Sequence, residues 1–325
     1  MLQNAPASLL QQIDLGLDKV NTVINQALQS DVPLISQVGN YIICAGGKRL
    51  RPILTILSGQ TLGYEKDDLY ALAAMVEFIH TSTLLHDDVV DESDLRRGRQ
   101  TANHLFGNAA AVLVGDFLYT RAFELMVASN NMRILEVMAK ATNIIAEGEV
   151  MQLLNIGNTS ITEKEYFQVI QYKTAKLFEA AAQVGAILAG ATDKEENALK
   201  DYGMYLGTAF QIIDDVLDYS GDTEQTGKNV GDDLAEGKPT LPLIYVMEQG
   251  KPEDAQIIKK ALEETNREHF DQVLKIVQNS GALLYAKEQA TKACNQAIEA
   301  LAPLKQNNTT ASMIQLAQAS VARLS

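Results

Sequence analysis

Along this chain, apolar positions recur at intervals of three and four residues, and strict alternation is scarce. Between Asp67 and Asp91 the positions Tyr70, Ala73, Ala74, Glu77, Phe78, Thr81 and Leu84 follow that spacing. Similar runs cover 109–128, 132–154, 163–188 and 195–219. A period near 3.6 places such positions on one helix face, so each run predicts a helix packed against a core. The punctuation agrees. None of the seven prolines lies between residues 53 and 238, and a proline inside a helix costs about 3 kcal/mol. Gly63, Gly107, Gly157 and Gly190 stand where the runs end, as helix-stopping glycines do. The pattern predicts an all-α chain of ten or more helices. No shift in composition marks a boundary, so residues 1–325 read as one domain. The one long polar, glycine-bearing stretch is 220–237, which follows a helix directly and is a candidate active-site loop.

Two of the predicted helices end in the same acidic signature. Asp87-Asp88-Val-Val-Asp91 closes the run from Asp67, and Asp214-Asp215-Val-Leu-Asp218 closes the run from 195. Positions i, i+1 and i+4 of a helix fall within an arc of about 100°, so each copy is expected to point three carboxylates one way. Carboxylates gathered on an apolar wall are costly unless a positive charge neutralises them. Mg²⁺ prefers oxygen ligands and commonly joins one or two carboxylates to substrate phosphates. The chemistry predicted is that of a metal-bound diphosphate.

Charge narrows the choice of partners. Lys and Arg total 27 against 41 Asp and Glu, a net charge of −14, which argues against nucleic acid and anionic membrane surfaces as general partners. No apolar run reaches the roughly 18 residues of a membrane span, and no secretory leader is recognisable. Cys44 and Cys294 lie too far apart in sequence for a metal-ligand pair and read as reduced thiols, which suits the cytoplasm.

Against that acidic background, clustered basic residues stand out. His80 lies on the helix face of Asp87 and Asp91; its alternative is a histidine hydrogen-bonded to backbone. His86 is off that face and reads as structural. Arg96 and Arg97, with Arg99 behind them, either offset the acidic helix end or present planar guanidinium groups to phosphate oxygens. Gly46-Gly47-Lys48-Arg49-Leu50-Arg51-Pro52 is either a loop and helix start or a segment whose backbone approaches an anion. Lys173-Thr174, Gln211 (three residues before Asp214), Lys228 and Lys238 complete the set.

In this order, these segments resemble the trans-isoprenyl diphosphate synthases over nearly the whole chain, and five separate motifs agree. The resemblance implies an all-α isoprenoid-synthase-type bundle around a deep central cavity, acting as a homodimer. It implies repeated condensation of isopentenyl diphosphate onto an allylic diphosphate, farnesyl diphosphate being the expected primer, with a product that serves as the side chain of respiratory quinones. It implies Mg²⁺ as cofactor, several ions per site, with Mn²⁺ as a substitute. Asp87, Asp91 and Asp214 would hold the metal, supported by Asp88, Asp215 and Asp218. Arg96, Lys173 and Lys238 would bind the allylic diphosphate; Lys48, Arg51, His80 and Arg97 would bind that of isopentenyl diphosphate. Thr174 and Gln211 would steer the allylic cation, since neutral dipoles stabilise it without capturing it.

Product length follows from the helix bearing Asp87. Thr83 lies one turn below Asp87 and Ser82 beside it, and both are small. Short-chain members of the family plug this level with aromatics. The tunnel is therefore expected to stay open here and to close at Phe123, Met126 or Met138, giving a product near eight isoprene units. The alternative for those three is plain core.

Overall fold

A computed structural model describes residues 7–96, 98–219 and 231–322, with backbone only over 7–12. Its described elements are helical apart from one pair of two-residue strands. In chain order they are α1 (Ala7–Ala27), α2 (Pro33–Cys44), α3 (Leu50–Thr61), α4 (Asp68–Val90), β1 (Leu95–Arg96), β2 (Arg99–Gln100), α5 (Ala102–Phe106), α6 (Asn108–Ala128) and α7 (Met132–Leu154). There follow α8 (Glu163–Ile170), a π-helical turn (Gln171–Ala175), α9 (Lys176–Leu188), α10 (Asp193–Leu217), α11 (Asp232–Ala235), α12 (Leu241–Gln249), α13 (Pro252–Glu264), α14 (Phe270–Asn279), α15 (Ala282–Ala300) and α16 (Asn308–Val321).

Prolines fall where a helix tolerates them. Pro33, Pro242 and Pro252 occupy the first turns of α2, α12 and α13, where a missing N–H removes no intrahelical bond. At the start of α8, Thr162 and Glu165 form a reciprocal capping box, which satisfies two otherwise orphaned backbone donors.

The contacts divide the chain into two compact units. The first comprises Met1–Lys140, Leu177–Gly203 and Ala300–Leu316; the second comprises Ala141–Lys176, Met204–Glu299 and Ala317–Ser325. These borders fall within or at the ends of helices and not in polar linkers, so composition gives no sign of them.

The core of the first unit is built on α3 and α4. Ala73 to Ile79 are buried without a break, so α4 is covered on all sides, not only along the stripe that the spacing predicted. Such a helix must lie inside its unit. Leu72, Met75 and Phe78 of this helix are fully buried together with Leu54, Leu57 and Phe178, each contributing about 1.5–3 kcal/mol through burial. Tyr202 is equally buried, and its hydroxyl donates to the Met313 carbonyl at 2.7 Å.

In the second unit, Tyr166 and Ile170 pack with Ile212, Ile213, Val216 and Ile244 in one apolar cluster. Tyr219, Leu243, Ile258, Leu262 and Val273 form another. The 163–188 run, expected as one helix, is interrupted by the π-helical turn that carries Lys173 and Thr174. Such turns concentrate at functional sites.

Candidate active site

Each acidic motif ends its helix. Asp91 is the C-cap of α4, its N–H donating to the Asp87 carbonyl at 2.8 Å. Asp218 follows the last residue of α10 and donates to the Asp214 carbonyl at 3.2 Å. The C-terminus of a helix carries a partial negative charge and favours cations. Carboxylates there oppose the helix dipole, so both ends create demand for a positive ion.

The three carboxylates of a motif differ in burial. In the first, Asp87 and Asp91 are half-buried while Asp88 is wholly buried. In the second, Asp214 is half-buried while Asp215 and Asp218 are buried. Asp218 lies past the end of α10, and one of its carboxylate oxygens accepts from the Gly231 N–H at 3.1 Å. Asp87, Asp91 and Asp214 are thus the more exposed members, and the other three are buried.

Inside the first unit, Asp88 accepts from Arg96 Nε and Nη2, both at 2.7 Å. Burial works against the guanidinium charge, but the bond to Asp88, with Asp87 and Asp91 nearby, more than offsets it and leaves the Arg96 pKa raised. Arg96 stands on β1, opposite Arg99 in a two-residue antiparallel hairpin, so the basic segment is a hairpin rather than a helix end.

His80 and Arg51 are brought together, with Arg51 Nη1 3.1 Å from His80 Nε2; the guanidinium also lies 4.4 Å from the Phe178 ring centre. Arg49 serves structure instead. It pairs with the buried Glu77 at 2.6 Å and donates to the Ile43 carbonyl. Lys48 is exposed. Gly46 and Gly47 both have positive φ, 83° and 143°, so this loop needs residues without a Cβ.

Ser82 is fully buried, its hydroxyl donating to the Gly115 carbonyl of α6 at 2.8 Å. Thr83 is half-buried, and its hydroxyl donates to the His80 carbonyl at 2.9 Å. Met126 and Met138 are buried, and Phe123 packs on Tyr119 with ring centres 5.1 Å apart. His86 lies against α6, in keeping with a structural role.

In the second unit, Lys173 Nζ lies 2.5 Å from Glu149 Oε2, and Lys238 Nζ lies 2.5 Å from Glu236 Oε2. Thr174 donates to Gln211 Oε1 at 2.9 Å, and Gln211 Nε2 donates to Asp215 Oδ1 at 2.8 Å. Tyr166 donates to Asp215 Oδ2 at 2.7 Å. Burial, with Asp233 and Asp214 close by, pushes the Asp215 carboxyl up to about 8. Burial and the neighbouring Asp215 raise the Tyr166 phenol well above its ordinary value. Arg97, Lys228 and residues 220–230 of the expected loop lie outside the described residues; its remainder, 231–237, contains α11.

Tyr166, Gly148, Glu149 and Asp233 are absent from the residues singled out by sequence. Gly148 carried the clearest signal, because a glycine inside a helix costs about 1 kcal/mol relative to alanine and needs a reason. Here a Cβ would sit 2.5 Å from the Lys173 backbone nitrogen. The glycine lets α7 touch the π-helical turn.

Among the described residues, no three His, Cys, Asp or Glu side chains converge to hold a metal unaided. The solvent-facing donors are all carboxylate oxygens at anionic helix ends. That set fits Mg²⁺, which takes few protein carboxylates and completes its shell with phosphate and water.

A model of the polyprenyl synthetase family matches residues 32–279. The chain belongs to the polyprenyl synthetase family. It is 54% identical to octaprenyl diphosphate synthase of Escherichia coli (strain K12) over 305 residues, 94% of each chain. It is 52% identical to octaprenyl diphosphate synthase of Haemophilus influenzae over 311 residues, covering 95% of this chain and 94% of that one. Its fold is similar to the crystal structure of a polyprenyl synthase from Caulobacter crescentus complexed with calcium and isoprenyl diphosphate. The TM-score is 0.94 at 44% identity, covering 98% of this chain and 97% of that one. The family places this polyprenyl synthetase among the prenyltransferases.

Proposed function

We propose that this polyprenyl synthetase condenses isopentenyl diphosphate repeatedly onto an allylic diphosphate, farnesyl diphosphate, to give an all-trans octaprenyl diphosphate for a respiratory quinone side chain. The observation that carries the chemistry is the sorting of each acidic motif. Asp87, Asp91 and Asp214 face outward at two helix ends whose dipoles call for cations, while Asp88, Asp215 and Asp218 bond inward and hold the motifs in place. The product length rests on the octaprenyl relatives and on the small side chains at Ser82 and Thr83.

Asp87, Asp91 and Asp214 would hold Mg²⁺, several ions per site, with Mn²⁺ able to substitute. Bound, the metal supplies Lewis-acid stabilisation of the charge that builds on a departing diphosphate. Arg96, Lys173 and Lys238 bind the allylic diphosphate. At present each is held by an acidic neighbour, Asp88, Glu149 or Glu236, so the cations are placed before substrate arrives. Arg51 and His80, with Lys48 and Arg97, take the diphosphate of isopentenyl diphosphate. The allylic C–O bond breaks and the isopentenyl double bond attacks the allylic carbon. A proton then leaves to the released diphosphate. Thr174 and Gln211 offer neutral dipoles to the cation.

The protein works as a homodimer in the cytoplasm. The face of α6 supports the first statement: Val112, Leu113 and Val127 are exposed on it, Leu113 to 67%, and apolar surface of this kind marks association. Cys44 and Cys294 are free thiols. Among the described residues, no helix is long and apolar enough to cross a membrane.

The test is incubation with farnesyl diphosphate, isopentenyl diphosphate and Mg²⁺, followed by sizing of the dephosphorylated products by mass spectrometry. A dominant alcohol of eight isoprene units is expected. A longer or shorter dominant product overturns the length, and no consumption of isopentenyl diphosphate overturns the reaction.

A further inference from the structure

The pair Thr174 and Gln211 ends in a hydrogen-bonded chain whose last member has no assigned role. Thr174 donates to Gln211 Oε1, Gln211 Nε2 donates to Asp215 Oδ1, and Tyr166 donates to Asp215 Oδ2, at 2.9, 2.8 and 2.7 Å. All four residues belong to the second unit. Tyr166 and Asp215 are each 3% exposed, so water does not compete for the bond between them.

The chain has a direction. A glutamine amide accepts at one end and donates at the other, whereas a threonine hydroxyl does either. Thr174 alone therefore cannot decide which way round Gln211 sits. The recorded bond decides it, since Gln211 Nε2 donates to Asp215 Oδ1. The amide nitrogen then faces Asp215, the amide oxygen faces Thr174, and the threonine hydroxyl is left as donor. That choice holds only while the carboxylate keeps its plane. Tyr166 secures the plane by anchoring the other oxygen.

The ring of Tyr166 has a sufficient reason to be where it is. It packs with Ile170, Ile212 and Ile213, and lies edge-on to Phe167 with ring centres 5.4 Å apart. A phenylalanine would fill that place without a buried hydroxyl to satisfy, and an unsatisfied one is costly. Packing explains the ring; the hydroxyl needs a separate explanation.

We infer that Tyr166 is a positioning residue of the condensation: through Asp215 it fixes the orientation of the Gln211 amide and the Thr174 hydroxyl at the reacting centre. This rests on the condensation proposed above. Groups one step behind the chemistry typically matter by ten- to a hundredfold.

The test is a double-substitution cycle in the full-length protein, using Tyr166→Phe, Gln211→Ala and the pair. Steady-state kinetics are read with farnesyl diphosphate, isopentenyl diphosphate and Mg²⁺. Tyr166→Phe is expected to lower kcat about tenfold, to leave KM for isopentenyl diphosphate within about twofold, and to have no further effect in the Gln211→Ala background. A second readout needs no turnover. The side-chain amide resonances of Gln211 in ¹⁵N-labelled protein should shift in Tyr166→Phe while the backbone spectrum of α10 stays folded. Multiplicative losses in the pair, an unchanged kcat, or an unmoved Gln211 amide overturn the role of Tyr166. A wild-type protein that consumes no isopentenyl diphosphate overturns the condensation itself, and the two failures are told apart by that control.

Discussion

The two acidic motifs share a sequence and differ in how they are balanced. In the first, the buried Asp88 is matched by a half-buried cation, Arg96, which grips it through two nitrogens. In the second, the buried Asp215 accepts from the neutral Tyr166 and Gln211, and Asp233 and Asp214 crowd it. A carboxylate that is buried among other carboxylates resists ionisation, which is why Asp215 is pushed up to about 8. The same five-residue spacing therefore holds its inner carboxyl by an ion pair in one unit and by neutral hydrogen-bond donors in the other.

The largest effect should come from the outward carboxylates. Asp87→Asn and Asp214→Asn are each expected to lower kcat by about 10²–10³, the usual cost of removing one stabilising group from a developing charge. Steady-state turnover of isopentenyl diphosphate checks this. A loss confined to one motif would break the view that both serve one reaction.

The inward carboxylates should separate the motifs by stability. Asp88→Asn leaves the Arg96 guanidinium without its buried counter-charge and should cost about 3 kcal/mol. Asp215→Asn removes a carboxylate that its neighbours repel and keeps a side chain able to bond Tyr166 and Gln211. Its cost should stay below about 1 kcal/mol, the scale of one hydrogen bond. Urea melts of the metal-free protein compare the two, and equal losses would contradict the comparison.

What was legible in the sequence follows the same division. Residues 132–154 form α7 end to end as predicted, because its flanks supply the stop signals. The 163–188 run hid its π-helical turn, since one extra residue per turn barely disturbs a spacing of three and four. The hairpin of Arg96 escaped because two-residue strands carry no alternation to read. Spacing placed the acidic residues on two helix ends. Which of them turn inward depends on Arg96, Tyr166 and Gly231, partners that are distant in sequence or look like ordinary core and loop. Tyr166 sits in an apolar run, and nothing in that pattern separates a core ring from a positioning hydroxyl.

Close backbone approaches offer a finer contrast. A Cβ at Gly148 would lie 2.5 Å from the Lys173 nitrogen, and one at Gly185 would lie 2.4 Å from the Thr55 carbonyl oxygen. Gly148→Ala and Gly185→Ala should each cost about 1–3 kcal/mol through overpacking. Only Gly148→Ala should also lower kcat, because it displaces the turn that carries Lys173 and Thr174. Thermal melts and initial rates distinguish them.

The smallest change concerns product length. Thr83→Phe, at a half-buried position, should shorten the product with little loss of stability. Ser82→Phe must displace α6 from its bond to the Ser82 hydroxyl and should destabilise the fold as well. Product sizing alongside melting curves tests both.

The most direct measurement is a calorimetric titration of inorganic diphosphate into wild-type protein, Asp87→Asn and Asp214→Asn, each with and without Mg²⁺. If outward carboxylates at two anionic helix ends recruit the metal that recruits the diphosphate, wild type should bind only with Mg²⁺, and each substitution should weaken that binding at least tenfold. Equal binding by all three proteins in the absence of Mg²⁺ would contradict that claim.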